Sequence, residues 1–175
     1  MSNLPYAAIP TPPEDYNAAT VLSRLMDGLG FRYHWATDGL SDEVLGYRPE
    51  ATCRSVAETL QHIRNIVDMV EHSLNGERYE LPEPSPSDGA DVRAETLAAI
   101  ERVSQGLRSA DPSDVPNWHA RFQMGGNDMD FPFWNTINGT MSDAIYHVGQ
   151  VVAYRRAAGD PIDENVNVFI GAQGN

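Results

Sequence analysis

Four stretches of this chain repeat apolar residues at three- and four-residue intervals, and proline, glycine or a capping residue bounds most of them. No other feature restricts the fold as much. A stripe of that period is useful only on a helix that packs against others. The first stretch runs from Glu14 to Ala36 and carries Ala18, Val21, Leu22, Leu25 and Leu29. Glu14 and Asp15 suit the positive end of its dipole, and Gly28 and Gly30 predict a kink in its second half. The second stretch opens at Ser55-Val56-Ala57-Glu58, a capping box in which serine and glutamate each bond the other's backbone amide. Its stripe is Val56, Leu60, Ile63, Val67, Val70 and Leu74, and Asn75-Gly76 stops it. The third runs from Asp91 to Ser109 with Val92, Thr96, Ala99, Val103 and Leu107 inward. The fourth spans Asn138 to Ala158 and ends at Gly159-Asp160-Pro161.

The segments between are shorter or irregular. Pro5, Pro10, Pro12 and Pro13 make residues 1–13 an extended N-terminal arm. Ser41 to Thr52 reads as one helical turn and a loop. Residues 80–90, with Pro82, Pro84, Pro86 and Gly89, read as a linker. Trp118, Ala120, Phe122 and Met124 alternate with His119, Arg121 and Gln123, which predicts a strand. Gly125-Gly126-Asn127-Asp128 then predicts a hairpin turn, with a return through Met129 and Phe131. A short apolar tail follows the fourth stretch and is expected to pack on the helices. The sum is an all-α four-helix bundle with a short β-hairpin before the last helix. It forms a single domain over residues 14–175 behind the arm.

Charge excludes several functions. The net charge of −13 opposes binding to nucleic acid or to anionic membranes. No apolar run approaches the ~20 residues that span a bilayer. The single cysteine, Cys53, excludes an internal disulfide framework. With no basic and apolar leader at the N-terminus, the expectation is a cytoplasmic protein acting on a small molecule.

Chemistry concentrates in the fourth stretch. Asp143 and His147 stand four residues apart, so a helix projects their carboxylate and imidazole together. Gln150 and Tyr154 fall in the same narrow arc, beside the apolar face of Met141, Ile145, Val148 and Val152. A solvated flank with an Asp/His hydrogen bond fits this spacing; so does the wall of a cleft. Gly149 in mid-helix costs up to ~1 kcal/mol relative to alanine and suggests a close approach by another helix or a ligand. His62 lies beside the second stripe, next to Ile66 and Met69 by projection. Glu58 precedes it by four residues, but capping accounts for Glu58. His34 is expected on the surface, His72 at a helix end and His119 on the hairpin. Cys53 has no neighbouring histidine, and no phosphate loop, nucleophile elbow or Cys-x-x-Cys occurs.

These residues resemble a known family. Asp143-Ala-Ile-Tyr-His147-Val-Gly-Gln150, followed by Arg155, Arg156 and Gly159, is similar to the last helix of the DinB-like (DinB/YfiT) metalloenzyme superfamily, whose pattern is His-x-x-x-His-x-Gly-Gln. Ser55-Val-Ala-Glu58-Thr-Leu-Gln-His62 resembles that family's second helix, and Leu40-Ser-Asp-Glu and Tyr47-Arg-Pro49 fit as well. The resemblance runs from about residue 15 to 160. It implies an up-down-down-up bundle, often dimeric, with one divalent metal between helices two and four. Its ligands would be His62, Asp143 and His147, with Asp143 where the family usually has histidine. Aspartate still serves Zn, Ni, Mn or Fe(II), at a harder site.

The expected function is a metal-dependent enzyme. Three protein ligands leave room for water or substrate, as catalytic sites require. Relatives include thiol-S-transferases and a thiol-dependent isomerase, so the resemblance also implies a low-molecular-weight thiol and a homodimer. Gln150 and Tyr154 would orient the ligands or the substrate. The rival is a non-catalytic binding or stress module whose site has lost its metal. A ferritin-like oxidase would need more inward glutamates than the sequence contains.

Overall fold

The computed structural model describes residues 4–81 and 91–174. Helix α1 (Ala18–Ala36) starts at Ala18 rather than Glu14. Asn17 accepts the Thr20 N–H and Thr20 Oγ1 accepts the Asn17 N–H, both at 3.0 Å, and this reciprocal cap sets the start. The single helical turn expected after Ser41 is α2 (Asp42–Gly46). Helix α3 (Val56–Asn75) has the expected capping box, with Glu58 accepting the Ser55 N–H at 2.8 Å, and it ends at Gly76 with φ 70°. Helix α4 (Val92–Ser109) is capped by Asp91.

The final helix is longer than its periodicity suggests. One turn, α5 (Trp134–Thr136), leads into a π-helical turn over Ile137–Met141 and then into α6 (Ser142–Ala157). Ser142 Oγ donates to the Ile137 carbonyl five residues back at 2.7 Å, a reach the wider turn accommodates.

Among the described residues the fold is mostly helical with two small sheets. The expected hairpin forms from β2 (His119–Met124) and β3 (Asn127–Pro132), with Gly125 and Gly126 at positive φ. A strand not foreseen, β1 (Arg78–Leu81), pairs parallel with β2 through Tyr79 opposite Phe122. β1 takes up the first residues of the expected 80–90 linker, and the rest of that linker lies outside the described residues. A second, two-stranded sheet joins Val166–Asn167 to Ala172–Gln173.

The long helices touch in a ring: α1 meets α4 and α6, and α3 meets the same two. Their shared interior holds Met26, Leu29 and Tyr33 of α1 with Ile63, Val67 and Val70 of α3. Leu97, Ile100, Val103 and Leu107 of α4 and Met141, Val148 and Val151 close it. Burying each large side chain contributes about 1.5–3 kcal/mol. Among the described residues no helix is long and apolar enough to cross a membrane.

Helix α1 is buried on a second side too. Tyr6 lies on Gly30, where an added Cβ would sit 2.5 Å from its ring. The glycine expected to kink α1 is therefore a seat for this aromatic. Alongside it, Trp35 Nε1 donates to the Ala7 carbonyl at 3.2 Å and Arg24 to that of Pro10 at 2.7 Å. His34 is buried rather than exposed, and its Nδ1–H donates to the Pro5 carbonyl at 2.8 Å. The tail was expected to pack on the helices. Instead it meets the N-terminal segment, with the Ile9 N–H bonding the Gly171 carbonyl at 2.8 Å, and it leaves Phe169 and Ile170 exposed.

Candidate metal centre

The face of α3 that carries His62 lies against α6, the helix that carries Asp143 and His147. On α6 the four-residue spacing does what it predicts: Asp143 Oδ2 lies 3.4 Å from His147 Nε2. The same oxygen lies 3.9 Å from His62 Nε2 on the neighbouring helix. The two imidazole centroids are 4.8 Å apart and nearly perpendicular. One donor atom from each residue falls within 4.8 Å of the other two. For comparison, donors at the corners of a tetrahedron with ~2.1 Å bonds stand about 3.4 Å apart. The donor set of two imidazoles and one carboxylate, converging by its Nε2, Nε2 and Oδ2 atoms, fits a divalent cation.

Burial is graded across the cluster. The His147 side chain is 9% exposed and that of His62 16%, whereas that of Asp143 is 46% exposed. The imidazoles are held in the protein and the carboxylate faces the solvent side. His147 Nδ1–H donates to Gln150 Oε1 at 2.7 Å. That bond fixes the tautomer and leaves the Nε2 lone pair free on the side of Asp143. Tyr146 stacks edge-on against His147 at 5.6 Å.

His62 and Asp143 line an open groove of about 480 Å³. Ile66 and Met69 of α3 form one side. The other comes from the π-helical turn and the start of α6, with Asn138, Thr140 and Ser142. The turn and its hydroxyls were not singled out by the periodicity, because a one-residue widening leaves no trace in an apolar pattern. A separate apolar pocket under Phe133 and Trp134 shares no residue with this groove. The aromatic segment before α5 thus lines that pocket.

The remaining candidates lie elsewhere. Tyr154 packs its ring against Tyr47 at 6.2 Å and does not line the groove. Glu58 accepts from Ser55 and from Arg48, and the Arg48 guanidinium holds its carboxyl down to about 2. His72 donates to the Asp68 carbonyl, and His119 pairs with Asp130 on the hairpin. Gly149 has open space around it: a Cβ there would meet nothing within 4 Å. Among the described residues no other helix makes the close approach that was one expectation at that position.

A family model, that of the DinB superfamily, matches residues 31–161. Among solved structures, the chain is similar to a DinB-like protein, YjoA, from Bacillus subtilis. The two share 13% identity and a TM-score of 0.60 over 79% of this chain and 92% of that one, a likeness of fold. No curated protein matches this chain.

Proposed function

The chain belongs to the DinB superfamily, and on that premise we propose that it is a metal-dependent enzyme. In this reading the ring of long helices is a four-helix bundle in up-down-down-up order, and α3 and α6 hold one divalent cation through His62, Asp143 and His147. The observation that carries the reading is the convergence of three donor atoms from two helices within 4.8 Å. A chance Asp/His pair on one helix does not account for the third donor.

Each residue has a distinct task. His62 and His147 supply neutral nitrogen lone pairs from sheltered positions. Gln150 holds the His147 ring so that its Nε2 points at the site. Asp143 supplies the one negative charge, from the side where water and substrate enter. When bound, the cation would act as a Lewis acid and lower the pKa of a coordinated water or thiol. The superfamily resemblance favours thiol-dependent transfer or isomerisation of a small molecule, with a low-molecular-weight thiol as co-substrate, in a cytoplasmic homodimer.

Elemental analysis of protein purified without an affinity tag tests the proposal. One zinc, nickel, manganese or iron per chain is expected, falling below a tenth in His147→Ala. Trace metal in the wild type, unchanged in that variant, would sink the enzyme reading and favour the non-catalytic module.

A further inference from the structure

The groove beside the three donors has a chemical bias of its own. Among the described residues that line it there is no arginine. The chain contains no lysine, so arginine is its only permanently charged cationic side chain. Arg64, the arginine nearest His62 in sequence, is held by Asp68 at 2.8 Å. Two hydroxyls of the groove point the same way. Thr140 Oγ1–H donates to the Thr136 carbonyl at 3.1 Å, and Ser142 Oγ–H to the Ile137 carbonyl at 2.7 Å. Both protons are committed to the helix, so these hydroxyls offer the groove lone pairs. Asp143 adds a half-exposed carboxylate, within a chain of net charge −13. Against this stand an apolar side of Ile66 and Met69 and the exposed ring of Tyr146, a surface suited to methylenes or to a cation.

We propose that this groove takes a compact neutral or cationic molecule with hydrogen-bond donors, and selects against anions. The proposal rests on the metal-site reading for the placement of the ligand, and on walls that hold a carboxylate and two acceptor hydroxyls but no arginine for its charge. Beyond the reach of the cation itself, a carboxylate or phosphate lying against these walls would lose its hydration without a counter-charge.

Three thiols of nearly one length and differing charge separate the two readings: cysteamine, 2-mercaptoethanol and 3-mercaptopropionate. Zinc uptake by equilibrium dialysis tests the metal centre alone. Binding of each thiol is then followed by the ring-proton shifts of His62 and His147, in zinc-loaded and in metal-free protein. In metal-free protein, where the walls act without the cation's charge, the anion is expected to bind about tenfold more weakly than 2-mercaptoethanol, with cysteamine at least as tight. Because thiol acidity also differs along the series, Asn138→Arg serves as control. It should raise affinity for the anion about tenfold and leave 2-mercaptoethanol unchanged. Equal or tighter binding of 3-mercaptopropionate, or no response to any of the three, overturns the proposal. Failure to bind zinc with the charge order preserved in metal-free protein overturns the metal reading alone.

Discussion

Gly149 sits between His147 and Gln150 on an exposed part of α6, and no described residue approaches it. A glycine in a helix interior without a steric reason is a local weakness. Gly149→Ala should therefore raise stability by about 0.5–1 kcal/mol in urea denaturation while leaving metal content unchanged. A loss of stability would mean that a surface packs there. At this scale the sequence was informative where chemistry is local. Asp143 and His147 are related by helix geometry alone, whereas His62 entered only through the resemblance of its capped helix to the family's second helix. The side chains whose roles depend on distant partners were not legible. His34 reads as a surface residue until Pro5 is folded against it, and Gly30 reads as a weak point until Tyr6 lies on it. Tyr154 shares the arc of the site by projection, but Tyr47 from another element claims its ring.

Among elements, the four long helices were legible because each announces itself by period and cap. Their junctions were less so. One junction is made by Arg155 of α6, which is buried and donates to the Ala36 and Asp38 carbonyls at 3.2 and 2.8 Å while pairing with Asp160 at 2.8 Å. It therefore caps the C-terminal end of α1 from a different helix, where a cation also meets the negative end of the dipole. Arg155→Met should cost about 3 kcal/mol in chemical denaturation, since it leaves Asp160 and the α1 carbonyls without their partner. Arg155→Lys should recover only part of this, because an ammonium cannot reproduce the planar fork. Full recovery by lysine would show that charge alone matters. β1 was invisible for a different reason: its partner strand lies some forty residues onward, and its own four residues alternate too briefly to signal a strand.

For the whole molecule, the N-terminal segment, met by the tail at Ile9, acts as a strap across α1. The strap is sensitive to pH at one point. Burial lowers the pKa of His34 below its ordinary value, with Arg93 acting in the same direction, against the Pro5 carbonyl and Asp38. The unfolded chain thus binds a proton at His34 more readily than the folded one. The stability contributed is complete above the ordinary histidine value of about 6.5 and is lost as pH falls through the lower folded value. The melting temperature of the wild type should drop as pH falls below about 6.5, and that of His34→Asn, which keeps a donor for Pro5, should drop less. Parallel curves would clear His34 of any part. The strap was the least legible feature of the sequence. Its residues carry no period, and its energy comes from contacts with side chains and a glycine of α1 that no local pattern announces.

The π-helical turn between α5 and α6 has a bearing on how such a site could change over generations. It accommodates one residue more than ordinary winding needs, so the aromatic end of this helix and its acid–imidazole end are phased independently. Loss or gain of a single amino acid there would swing the groove wall by a large fraction of a turn, yet leave both the hydrophobic contacts behind it and the four-residue interval ahead of it as they were. Lineages could retune specificity at that swivel without rewriting either neighbour.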